Sequence, residues 1–189
     1  IVMPEPFKVA VLIGSLRKQS FNRRTAQALI PLARPGLMLE IVEIGQLPLY
    51  DQDLDDEHRP PLAWTDFRNT INGYDAVLFV TPEYNRSVPG VLKNAIDVGS
   101  RPYGKSVWDK KPAGGISVSP GAIGGFGANH HLRQSLVFLN MPVMQQPEAY
   151  IGNAASIFTD EGSFVDKTGE FFRNFIQSFA RWISLHKAA

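Results

Sequence analysis

Two short runs, "FKVAVLIG" (7–14) and "DAVLFVTP" (75–82), each carry five consecutive apolar residues and end at turn-forming residues. A strand with one wet face alternates apolar and polar positions. A continuous run predicts a strand buried on both faces, the condition found inside a parallel sheet. "GLMLEIVEI" (36–44) and "KPAGGISVS" (111–119) read as two more strands, and "MPVMQQP" (141–147) as a fifth. Helical segments separate them: "SFNRRTAQALIPLAR" with Ser20 as N-cap, "PPLAWTDFRNTINGY" with prolines at its start, "PGVLKNAIDVGS" and "GFGANHHLRQSLVFLN". The final helix, "KTGEFFRNFIQSFARWISLHK", sets Phe172, Phe175, Ile176, Phe179, Trp182 and Ile183 along one stripe, as packing on a sheet requires. This alternation predicts an α/β fold, a doubly wound, five-stranded parallel sheet with helices on both faces and one domain over residues 1–189, for which we take 2-1-3-4-5, one of the common doubly wound strand orders.

Composition narrows the function. Nineteen Lys and Arg against 18 Asp and Glu leave a formal charge of +1, which points to neither nucleic acid nor a membrane surface as partner. The absence of cysteine excludes disulfides, thiolate catalysis and cysteine-held iron–sulfur clusters. Electron chemistry therefore needs an organic cofactor or a metal held by other ligands. No apolar run approaches the ~18 residues of a membrane span. The start, "IVMPEPFK", lacks the cationic and apolar regions of a signal peptide, although its first residue is Ile and a segment removed before Ile1 stays open. The expectation is a cytoplasmic protein.

In doubly wound sheets, ligands sit beyond the carboxyl ends of the strands where the strand order reverses, here between strands 1 and 3 with strand 4 beside them. The loops after those strands are "GSLRKQSFN", "TPEYNRSVPG" and "SVSPGAIGGFGAN". In the first, free N–H groups and the dipole of a helix start favour an anion. Ser15, Ser20 and Asn22 add neutral donors, and Arg17 a guanidinium fork, a set suited to a phosphate monoester. The second offers Glu83, Tyr84 and Asn85, polar edges and a flat face for a heteroaromatic ring. The third permits close backbone approach at Gly121, Gly124 and Gly125. Each loop alone also reads as an ordinary feature: a capped helix, a Pro-rich turn, a glycine turn. The charged excursion "QLPLYDQDLDDEHRPP" (46–61) reads as a solvated surface loop or, through "LPLYDQDL", as a substrate-side patch lent by a partner subunit.

"GSRPYGKS" (99–106) matches the phosphate loop of P-loop nucleotidases. That loop runs from a strand into a helix, whereas this one follows a helix and leads to a strand. A basic connecting loop is the better reading. His130 and His131 are adjacent on a helix, point to different sides, and make a poor metal pair.

Taken together, "GSLRKQSFNRRTA", "LPLYDQDL", "FVTPEYNRSVPGVLKNAIDVGSR" and "SVSPGAIGG" resemble the NADPH-dependent FMN reductase family, in particular its bacterial quinone and chromate reductases. The resemblance runs from about Phe7 to the final helix and departs from the family pattern at Val98, where Trp is common. It implies a flavodoxin-like fold, bound FMN, NADPH or NADH as donor, a small-molecule electron acceptor, and a homodimer or homotetramer. It also implies that Ser15, Arg17, Ser20 and Asn22, with Phe21 beside them, hold the phosphate. Pro82, Glu83, Tyr84 and Asn85 would line the isoalloxazine, with Ser119 and Gly121 on its other edge. The flavin would take a hydride at N5 from NAD(P)H and pass electrons to a quinone, chromate, an azo compound or free flavin by alternating occupancy, with no protein group as acid or base. An FMN electron carrier of flavodoxin type and, more distantly, a P-loop nucleotidase are the other readings.

Overall fold

The computed structural model describes residues 5–187; the first four residues of the stretch from which the absence of a leader was inferred lie outside that range. The parallel strands are β1 (Phe7–Ile13), β2 (Leu37–Ile41), β3 (Ala76–Thr81), β4 (Ala113–Val118) and β5 (Ala149–Ile151), in the order β2-β1-β3-β4-β5. The helices are α1 (Phe21–Ala33), α2 (Gln52–Asp56), α3 (Leu62–Asn72), α4 (Gly90–Gly99), α5 (Phe126–Phe138) and α6 (Asp166–Lys187). The doubly wound sheet expected from the alternation is present, with helices on both faces.

Two-sided burial explains the continuous apolar runs. Val9, Val11 and Ile13 of β1 join the core packed beneath α1 and α6, whereas Ala10 and Leu12 face α3, α4 and α5. Period-2 alternation thus sends successive side chains into two cores rather than into core and water. Every residue of β3 and β4 is buried. The stripe on α6 packs as expected: Phe172, Phe175, Ile176, Phe179 and Ile183 are buried, and Trp182 is half-buried with its Nε1 donating to Pro142 O at 2.8 Å.

Two expectations need correction. The fifth strand is Ala149–Ile151, not 141–147. Pro142 and Pro147 have no N–H to give a ladder, so 141–147 makes only an isolated bridge, Val143 beside Ala113. The chain pairs properly with β4 only past Pro147.

Nor is 46–61 a simple solvated loop. It contains the short α2, and Leu47 and Asp55 point inward. Trp64 Nε1 donates to Pro48 O at 2.9 Å, Asn94 Nδ2 donates to Leu47 O and Pro48 O, and Asn94 Oδ1 accepts from Tyr50 N. Asp55 accepts both guanidinium ends of Arg68 at 2.9 and 2.7 Å, and Arg68 Nε donates to Val98 O. The charged excursion is therefore stitched to α3 and α4.

The "GSRPYGKS" segment begins at the end of α4 and leads through turns to β4, the reverse of a phosphate loop. Its first glycine answers a packing need: a Cβ at Gly99 would lie 2.4 Å from the Trp108 ring.

The Asp55–Arg68 pair is buried, with side chains only 3% and 10% exposed. Asp55→Asn leaves the guanidinium without a counter-charge and is expected to cost about 3 kcal/mol of folding stability. Urea denaturation measures it; an unchanged midpoint and slope would show that the pair contributes nothing.

Candidate functional site

The order β2-β1-β3-β4-β5 places the reversal between β1 and β3, and the three loops leaving β1, β3 and β4 converge there. They enclose a cleft of about 280 Å³ lined by Ser15, Arg17, Ser20, Phe21, Asn22, Pro82, Glu83, Tyr84, Val118, Ser119 and Pro120. A larger cavity, about 640 Å³, lies between α4 and α5 and touches this region only through Ser87 and Val88. Size does not decide between them. The smaller cleft has the strand ends, a helix N-terminus and polar groups turned toward one volume, and we take it as the functional site.

The first loop wraps the start of α1. Ser20 is the N-cap, its Oγ accepting from Arg23 N at 3.3 Å, while Arg24 N is satisfied by Ser20 O. Ser15 Oγ accepts from Arg17 N at 3.4 Å. The Arg17 guanidinium donates to Gln19 O at 2.7 Å and lies 5.6 Å from the Phe21 ring centre. Arg23 is engaged elsewhere, on both carboxylate oxygens of Glu43 at 2.8 Å, and the hydrogen bond from Arg23 holds the Glu43 carboxyl below its ordinary value. Arg17 is thus the cation that the cleft itself presents.

Asn22 Nδ2 donates to Val118 O at 3.3 Å, which uses one of its two N–H groups. Its Oδ1 is buried without a hydrogen-bond partner.

The second loop is a two-residue hairpin. Tyr84 and Ser87 exchange N–H···O bonds at 3.1 and 3.0 Å, and Asn85 (φ 52°) and Arg86 (φ 64°) take the left-handed conformation that such a turn demands. Asn85 sits at its tip, outside the cleft lining. Tyr84 is half-exposed at the mouth. Glu83 is committed by its surroundings: Oε2 accepts from Ala128 N, in the first turn of α5, at 3.0 Å, and Oε1 accepts from Arg86 at 3.3 Å. Its carboxylate ties the hairpin to the positive end of α5.

In the third loop, Ser119 lines the cleft and Gly121 does not. Gly124 (φ 67°) and Gly125 (φ 73°) answer the fold rather than a ligand. A Cβ at Gly124 would meet Tyr150 C at 2.6 Å and one at Gly125 would meet Ser117 Cβ at 2.9 Å. Ser117 Oγ donates to Gly124 O at 2.7 Å and fixes the loop to β4. Close by, burial and then Glu148 push the Tyr150 phenol up to about 12, and its hydroxyl lies 2.9 Å from His130 Nε2. His131 Nδ1 instead meets Ser87 Oγ at 2.9 Å, so the two histidines part as their helical spacing requires.

Of the residues expected from the sequence, Ser15, Arg17, Ser20, Phe21, Asn22, Pro82, Glu83, Tyr84 and Ser119 line one cleft, whereas Asn85, Gly121, Gly124 and Gly125 do not. Val118 and Pro120 were missed. They flank Ser119, Val118 as the last residue of β4 and Pro120 in the loop, and that adjacency was the only available signal.

A five-stranded parallel sheet of this order with a ligand-sized cleft at its switch point defines the flavodoxin-like class of proteins. Among solved structures, the chain superposes on the NAD(P)H:(acceptor) oxidoreductase FerB of Paracoccus denitrificans with a TM-score of 0.89 at 41% identity, covering 95% of this chain and 98% of that one. Residues 7–156 match the family described as NADPH-dependent FMN reductase, and the chain belongs to it. It is 62% identical over 186 residues to a quinone reductase of Pseudomonas putida, covering 98% of this chain and all of that one. To a 2-hydroxy-1,4-benzoquinone reductase of Burkholderia sp it is 45% identical over 177 residues, covering 93% and 96%.

Glu83→Ala should expose the Ala128 amide, seen as faster hydrogen exchange there, with a stability loss of about 1 kcal/mol. Unchanged exchange at Ala128 would show that the carboxylate does not hold the helix start.

Proposed function

We propose that this protein is an FMN-dependent NAD(P)H:quinone oxidoreductase, a single flavodoxin-like domain over residues 1–189. The observation that carries the reading is the convergence of three strand-end loops on one cleft at the sheet's switch point, with an anion-suited helix start on one side. The family membership and the quinone reductases among the relatives support the chemistry. The residues fit the group. Ser15, Arg17, Ser20 and the first N–H groups of α1 suit the phosphate, and an unpartnered buried oxygen on Asn22 awaits a ligand atom.

In this reading Pro82, Glu83 and Tyr84 stand against the isoalloxazine and Ser119 meets its other edge. Asn85 and Gly121 act by shaping their loops. When bound, FMN would supply the redox chemistry, accepting a hydride from NAD(P)H at N5 and returning electrons to the acceptor. The protein's part is to hold the phosphate, set the ring against the strand ends, and leave one face open through a cleft of modest volume. No side chain serves as acid or base. Chromate, azo compounds or free flavin are further acceptors. We place the protein in the cytoplasm as a homodimer or homotetramer, with "LPLYDQDL" as the partner-side patch. The exposed Leu49 in that segment supports this. Among the described residues no helix is long and apolar enough to cross a membrane.

The purified protein is expected to be yellow, with one FMN per chain, and to oxidise NAD(P)H with a quinone. Double-reciprocal plots should be parallel, because donor and acceptor share one flavin face. Colourless protein that takes up no added FMN would overturn the assignment, and intersecting lines would overturn the shared face. Slow direct NAD(P)H oxidation by a yellow protein would favour the electron carrier.

Arg17→Ala should weaken FMN by about 1.5–3 kcal/mol, roughly ten- to a hundredfold, and leave riboflavin, which lacks the phosphate, nearly unchanged. Lys105→Ala in the "GSRPYGKS" segment should alter neither flavin content nor turnover. Equal losses of FMN and riboflavin in the Arg17 variant would show that the first loop serves the fold alone.

A further inference from the structure

At the amino ends of the strands, opposite the cleft, two lysines share one carboxylate. Asp75 precedes β3, Lys111 precedes β4, and Lys187 ends α6. The carboxylate is already engaged: Asp75 Oδ2 accepts from Lys8 N at 2.7 Å, and Oδ1 accepts from Lys187 Nζ. Lys111 Nζ has one acceptor, the Tyr74 carbonyl oxygen at 2.6 Å, and among the described residues it forms no ion pair. Glu40 offers no relief, since it accepts from the Tyr74 hydroxyl at 2.7 Å.

An ammonium carries three donors and a full charge. Lys111 is half-buried, so water replaces its missing partners only in part, and Lys187 sets a like charge beside it. Burial first, and then Lys187, hold the Lys111 amine below its ordinary value, against the opposing pull of Asp75. The neutral amine keeps its bond to Tyr74 O and has a lone pair to offer. The residues next in the chain, Lys110 and His186, line an open cleft of about 350 Å³, so an anion that approaches this corner meets further donors.

We propose that Lys111 is a modification site, acylated by small acyl phosphates. The amine nitrogen attacks the acyl carbon, the N–C bond forms as the C–O bond to phosphate breaks, phosphate leaves with the electron pair, and the amine proton passes to water. The product suits its surroundings. Its amide N–H still donates to Tyr74 O, and the charge that Lys187 opposed is gone. The site lies at the other end of the sheet from the cleft and does not rest on the FMN reading.

Acetyl phosphate is the probe. The folded wild-type protein is labelled briefly, to low occupancy, and acetylation at each lysine is quantified by peptide mass spectrometry. At pH 8, Lys111 is expected to react about threefold faster than the exposed Lys18, Lys105 and Lys167. Its rate should also level off at lower pH than theirs, because an amine held below its ordinary value loses its proton sooner. A rate equal to or below theirs would overturn the proposal, and so would a pH profile with the same midpoint. Lys187→Gln, at the exposed end of α6, removes the like charge and releases Asp75 Oδ1 to pair with Lys111. It should slow acetylation of Lys111 about threefold and leave Lys18 unchanged. A Lys111 rate that does not respond to Lys187→Gln would overturn the proposal as well.

Discussion

The two-sided burial of β1, β3 and β4 is the constraint on which the rest of this structure depends. A parallel strand buried on both faces must carry apolar residues at every position and must have helices on either side. Its polar chemistry is thereby expelled to its ends. Gly14, Pro82 and Ser119 are where three such strands stop, and the order of the strands brings those stops together. Among residues 7–13, 76–81 and 113–118, polar side chains are few and lie near the ends, as at Thr81 and Ser117. The cleft is therefore a product of the ladder as much as of the loops.

The loops are held open by their neighbours rather than by their own stiffness. Glu83 fastens the hairpin after β3 to the start of α5, Ser117 fastens the loop after β4 to its own strand, and Asn22 fastens α1 to the end of β4. Each of these bonds joins two of the three loops or one loop to the sheet. A site preorganised in this way needs little rearrangement to take a rigid aromatic cofactor, which lowers the ordering cost of binding.

Charge is used locally. The chain is almost neutral, yet the cleft presents Arg17 and the positive end of α1, while Arg23 is neutralised by Glu43 and the Glu83 carboxylate is occupied by Ala128 N–H and Arg86. The 46–61 segment shows the same economy. It is rich in acid, but Asp55 is turned inward onto Arg68, so that a segment that looks solvated in composition is anchored to the fold.

Much of this was legible in the sequence because its causes are local. Continuous apolar runs, Ser20 as a cap and the α6 stripe depend on periodicity and on residues a few positions apart, and they determine the layered α/β sheet and the loops that leave it. The inward turn of Asp55 was not legible, since it depends on Arg68 and on a backbone oxygen at Val98, far along the chain. The fifth strand moved past Pro147 because pairing with β4 requires N–H groups in register, and two prolines withhold them. The glycines at 124 and 125 carry the same signature whether they approach a ligand or a neighbouring strand; only the position of Tyr150 and Ser117 decided for the strand. Asn22 could be recognised as polar and well placed from its sequence neighbours. Which end of its amide the fold engages was decided by Val118, a residue 96 positions away, because a hydrogen bond between distant segments exists only once the sheet has brought them together.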